Sequence, residues 1–188
     1  MKRKSGKQAL RAGGRRKKRF VHTFKWQGEI AEMGFQHKAA SMGFTVTKPY
    51  GDSDSYDFIV DAGNRLWRVQ VKSGSSMKRN AYRVAVRHFW RGPQSKRAYT
   101  ADQIDILAVY VVPLKVWYII PVGAFTPSES LILFPHLPGH AGKYEQFREA
   151  WHLLACRRGG KLKKGIVTEP ACGYCPASGK ICPGCVWK

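Results

Sequence analysis

Asp57, Gln70 and Lys72, with Glu29 upstream of them, are the residues whose types and spacing best fit a chemical reaction. Residues 56–61 alternate like a strand, Ala62-Gly63-Asn64 reads as a hairpin turn, and residues 65–73 read as a second strand. Asp57 and Gln70 lie at matching distances from the turn, so antiparallel pairing brings them together. Alternation sets Gln70 and Lys72 on one face. Mg²⁺ prefers oxygen ligands, commonly one or two carboxylates with waters and a substrate phosphate. Asp57 offers a carboxylate, Gln70 an amide oxygen and Val71 a main-chain carbonyl. A lysine such as Lys72 beside the metal positions or helps deprotonate an attacking water, and it stabilises charge on a phosphorane. Glu29 is placed to hold a second metal or a metal-bound water. Taken singly, each residue reads as an ordinary charge on a helix or strand. Their conjunction across one hairpin points to metal-assisted phosphodiester hydrolysis.

These side chains need elements to position them. Residues 25–42 carry Ile30, Met33, Ala39, Ala40 and Met42 near helical spacing, and Gly43 suits a C-cap. Residues 44–48 alternate like a strand and stop at Pro49, and 50–55 is loop chemistry in which Asp52 and Asp54 read as turn residues. A further strand is expected at 82–86 and a flexible basic loop at 89–97. A short helix capped by Thr100 is expected at 101–104. Two buried strands follow at 107–112 and 116–122, and a closing helix over 143–155. Trp67, Trp117 and Trp151 read as core. Trp90, amid Arg87, His88, Arg91, Lys96 and Arg97, is the aromatic best suited to a DNA groove.

The charge says what the partner is. Lys and Arg number 33 against 12 Asp and Glu, a net +21 over 188 residues, and such an excess calls for a polyanion. Nucleic acid fits better than a membrane surface, because the sequence shows no lipidation signal and no basic amphipathic helix with a strong apolar face. No apolar run reaches the roughly 20 residues that span a bilayer. The basic N-terminus lacks an apolar secretion segment, so a cytoplasmic location is expected. Residues 1–20 form an arm of cations without acids, expected to be disordered in isolation and to bind phosphates without reading sequence. Within the domain, taken as 21–156, the candidate DNA contacts are Lys78, Arg79, Arg83, Arg87, Arg91, Lys96 and Arg97.

The run Tyr56-Asp-Phe-Ile-Val-Asp61 followed by Trp67-Arg-Val-Gln-Val-Lys-Ser73 resembles the PD-(D/E)XK nucleases, and among them the group I intron-associated homing endonucleases. Lys25-Trp-Gln-Gly-Glu-Ile-Ala31, Gly43-Phe-Thr-Val, Trp117-Tyr-Ile-Ile-Pro121 and Tyr144-Glu-Gln-Phe-Arg-Glu-Ala-Trp151 extend the likeness over residues 24–155. The resemblance implies an α/β restriction-endonuclease-like core, a mixed sheet flanked by helices with the metal site at one edge. It implies hydrolysis of double-stranded DNA with Mg²⁺ or Mn²⁺. It sets Glu29 at the helix carboxylate, Asp57 at the central Asp, Gln70 at the usual Asp or Glu, and Lys72 at the lysine. Gln70 departs from the usual acid, although glutamine occurs there in the intron-associated subgroup, and weaker metal binding is the expected consequence. Cutting both strands implies two active sites and hence a homo-oligomer, dimer or tetramer. A Holliday junction resolvase and a catalytically inactive DNA-binding protein share the fold and stand as alternatives. A basic RNA-binding protein with a zinc knuckle leaves the hairpin unexplained.

The tail, residues 157–188, is different in character. Cys172, Cys175, Cys182 and Cys185 form two Cys-x-x-Cys pairs with six residues between them. They read either as a structural Zn²⁺ knuckle or as free thiols of a disordered tail, and the resemblance does not reach them.

Overall fold

The computed structural model describes residues 24–51, 53–63, 65–89, 96–137, 139 and 142–155. The basic arm, Trp90, Arg91 and the four tail cysteines lie outside these residues. Among the described residues, no helix is long and apolar enough to cross a membrane.

Helix α1 (Phe24–Ser41) is stopped by Gly43, at φ 88°. Its amide donates to the Ala40 carbonyl at 2.9 Å and the Phe44 amide to the Ala39 carbonyl at 3.2 Å, which together satisfy the last turn. The buried face is Ala31, Phe35 and Ala39, at four-residue intervals. Of the apolar residues expected to form that face, only Ala39 is in it; Met33 is 62% exposed. Two small residues and one large ring set the contact. Phe35 stacks on Phe58 (5.4 Å) and Trp151 (5.6 Å), with Trp117 edge-on at 5.9 Å.

The helix lies against a five-stranded sheet in the order β1-β2-β3-β8-β9. Its strands are β1 (Thr45–Thr47), β2 (Phe58–Asp61), β3 (Leu66–Gly74), β8 (Ile106–Val111) and β9 (Val116–Pro121). The β3–β8 pair is parallel and the rest are antiparallel, so the sheet is mixed, as expected. The interior strand β8 is buried except at Tyr110, which fits a strand covered on both faces. Asp105 precedes it and accepts from the Arg68 amide (2.9 Å) and Arg68 Nε (3.1 Å), with Arg65 Nη2 at 3.4 Å. That carboxylate therefore ties the start of β8 to β3.

A smaller sheet joins β10 (Ser130–Leu133), β5 (Ala81–Ala85) and β4 (Met77–Lys78), and a ribbon pairs β6 (Arg87–Phe89) with β7 (Lys96–Ala98). β10 was not expected from the sequence, and β6 and β7 replace the ends of the expected basic loop. Residues 101–103 form a turn closed by the Gln103 and Ile104 amides on the Thr100 carbonyl, not a helix. The expected closing helix is also absent. Residues 145–147 make a 3₁₀ turn, Arg148 bridges to Tyr118, and only α3 (His152–Ala155) is helical. Glu149, at φ 49°, breaks the run. Its amide bonds to the Trp117 carbonyl and its carboxylate accepts from the Trp117 amide at 2.7 Å, so edge pairing to β9 outcompetes helix formation. The helix α2 (Val122–Phe125) follows β9 directly.

Candidate active site

The β2–β3 hairpin places the candidate residues Asp57, Gln70 and Lys72. Asp61 Oδ1 accepts from the Gly63 amide inside the turn, and Gly63 takes φ 81°, a conformation glycine adopts freely. The register pairs Phe58 with Val69, and the Asp57 amide donates to the Val69 carbonyl at 2.9 Å. Asp57 is thereby held beside Gln70. One carboxylate oxygen, Oδ2, accepts from Gln70 Nε2 at 2.6 Å and from the Val71 amide at 2.7 Å. Gln70 is buried, and its Nε2 also approaches the Val71 carbonyl at 3.2 Å. Burial pushes the Asp57 carboxyl above its usual range, against the lowering effect of the Val71 amide.

Lys72 follows two residues on. Burial lowers its ammonium below the usual lysine value, while Asp57 and Glu32 pull the other way. Its Nζ lies 5.7 Å from the Tyr99 ring centroid, and Tyr99 in turn stacks on His88 at 5.0 Å. The lysine therefore lies near the Tyr99 ring, within electrostatic reach of the Asp57 and Glu32 carboxylates.

The helix supplies two acids one turn apart, Glu29 and Glu32. Glu29 is exposed, and its charge acts on Lys48. Glu32, by contrast, acts on Asp57, Lys72 and Lys48, and its Oε2 accepts from Lys48 Nζ at 2.7 Å. Sequence reasoning named Glu29 and passed over Glu32, Lys48 and Tyr99. The three-residue spacing of two acids on one helix was the available signal for Glu32. Nothing local marks Tyr99.

Among the DNA-contact candidates, Lys78, Arg79, Arg83, Arg87 and Arg97 are exposed. Arg87 pairs with Glu129 at 3.2 Å. Lys96 lies on β7, and Arg91 is outside the described residues.

A family model described as PD-(D/E)XK endonuclease matches residues 22–154, and the chain belongs to that nuclease family. Among solved structures it is similar to a bacterial homing endonuclease, I-Ssp6803I, at 32% identity and a TM-score of 0.62. That match covers 70% of this chain and 92% of the other. A comparison with curated protein sequences finds no match.

Proposed function

We propose that the chain is a Mg²⁺- or Mn²⁺-dependent endonuclease that hydrolyses double-stranded DNA, of the homing type. The observation that carries this reading is the cluster of Asp57, just before β2, with Gln70 and Val71 on β3 and Lys72 following on the same strand. Similarity to a homing endonuclease supports the type of nuclease.

The residues fit a hard divalent cation. Asp57, Gln70, the Val71 carbonyl and the helix acids offer oxygen, and a buried carboxylate with its proton affinity raised gains from a cation. Asp57, Gln70 and the Val71 carbonyl would hold it, with Glu29 or Glu32 completing the set through water. A bound cation supplies Lewis acidity toward a phosphate oxygen and acidifies water. Gln70 Nε2 and the Val71 amide keep Asp57 oriented. Lys72, near the Tyr99 ring, takes a proton from an attacking water as the neutral amine, and the ammonium so formed offsets negative charge building on the phosphorus oxygens. Glu32 holds Lys48 at the margin of the site.

Domain limits of 21–156, a phosphate-binding arm at 1–20, a Zn²⁺ knuckle in the tail, homo-oligomerisation and a cytoplasmic location complete the proposal. An inactive DNA-binding protein is the second reading, favoured by one observation: Gln70 turns its amide nitrogen, not its oxygen, toward Asp57. The deciding experiment is cleavage of supercoiled plasmid carrying candidate target DNA and of a four-way junction, with Mg²⁺ and with EDTA. Metal-dependent cutting that Lys72→Ala abolishes supports the nuclease, and preference for the junction points to a resolvase. Tight binding without cutting on either substrate favours the inactive protein.

A further inference from the structure

The turn between β4 and β5 is strained where a cheaper residue was available. Lys78 pairs with Ala81, leaving Arg79 and Asn80 as a two-residue loop, and both have positive φ, 48° and 59°. Two consecutive positive values make a type I′ turn. Asparagine tolerates that region and glycine adopts it freely, whereas an arginine there costs on the order of 1 kcal/mol. Packing does not offset the strain, because Arg79 is exposed, as are Lys78, Asn80 and Arg83. Among the described residues, no acid lies within ion-pair distance of Lys78, Arg79 or Arg83. The nearby Glu129 is paired with Arg87.

The rest of the small sheet suits close approach by a polyanion. Its register places Lys78, Ala81, Arg83, Ala85, Ser130 and Ile132 on one face, and most of these are short or cationic. Its opposite face is fixed to the catalytic strand: a Cβ added at Gly74, two residues beyond Lys72, would lie 2.8 Å from Val84 Cγ2. The hairpin is thus packed on the strand that carries Lys72.

We propose that this tip is the base-reading element of the DNA interface, an inference that rests on DNA being the substrate. Arg79 and Asn80 meet base edges in the major groove, and Lys78 and Arg83 hold the flanking phosphates. The major groove is about 12 Å wide, and a ribbon whose strands are about 4.8 Å apart enters it. Arginine matches the acceptor pair of guanine and asparagine the donor and acceptor of adenine.

The test is binding selection in EDTA from a pool of duplexes with a randomised central segment, using the full chain. Wild type is compared with Arg79→Gly, Asn80→Gly, Lys78→Ala and Arg83→Ala. Glycine keeps the positive φ and relieves the strain at position 79, so the hairpin persists and neither glycine variant melts below wild type. Each glycine variant is expected to lose about ten-fold of base discrimination at one or two adjacent positions and none elsewhere. Each alanine variant weakens binding to every duplex and lowers the salt slope by about one. A motif unchanged in both glycine variants overturns the proposal, as does a wild type that enriches no motif. Plasmid cleavage on the same preparations reports separately on the nuclease. Cutting with unaltered motifs sinks the hairpin alone, and motif loss in the glycine variants beside a wild type that binds but never cuts sinks the nuclease alone.

Discussion

Asp57 is oriented through a single oxygen, while burial resists its charge and the Glu32 carboxylate adds to the repulsion. If Glu32 is the helix acid that serves the site, Glu32→Gln slows metal-dependent cleavage between about ten- and a hundred-fold, and Glu29→Gln slows it far less. A larger loss of single-turnover rate in Glu29→Gln than in Glu32→Gln would return the role to Glu29. A second residue-scale prediction concerns His88, whose imidazole is pushed below its ordinary value of 6.5, chiefly by burial. The folded chain resists protonating it, so its contribution to stability is present above that value and is lost as pH falls through the lowered one. His88→Gln should therefore shrink the drop in melting temperature between about pH 7.5 and about pH 5. A wild-type-sized drop in the variant would place the acid sensitivity elsewhere.

At the scale of elements, β3 is held near both of its ends, at Arg68 and at Gly74, and each contact can be tested. Gly74→Ala forces its new methyl group against Val84 and should destabilise the domain by about 1–3 kcal/mol in urea unfolding, with much of the loss recovered in the double variant with Val84→Ala. Additive losses would show that the contact relaxes some other way. Asp105→Ala leaves the half-buried Arg68 guanidinium without its carboxylate and should cost about 2–3 kcal/mol. These elements also show what the sequence could and could not disclose. Strand alternation and the Gly63 turn made the β2–β3 hairpin legible, and with it the meeting of Asp57 and Gln70. The closing helix misled, because its local pattern is helical while Arg148 and Glu149 find partners on β9, far away in sequence. The helix face misled for a similar reason: Ala31 looks unremarkable until it is seen to share a buried face with Phe35, which stacks on Phe58 and Trp151. Tyr99 reaches Lys72 only through tertiary packing, which no local pattern records.

For the whole molecule, the net charge of +21 should dominate affinity for any duplex. Binding measured from low to physiological salt should fall steeply, with a logarithmic slope of several units, each unit being roughly one phosphate contact. A flat salt response would deny the cations their role. The sheet, meanwhile, ends differently on its two sides. β1 is three residues long, and β9 already has its outer edge occupied at Trp117 and Tyr118 by Arg148 and Glu149. A second copy of the chain cannot extend the sheet at those two β9 residues by adding a strand there. Contact with a second copy at those residues would form through side-chain surfaces and not through a continuous sheet. The same residues guard against fibrous self-association, since loosening residues 144–151 would bare a run of apolar strand whose burial now runs from Trp117 to Pro121.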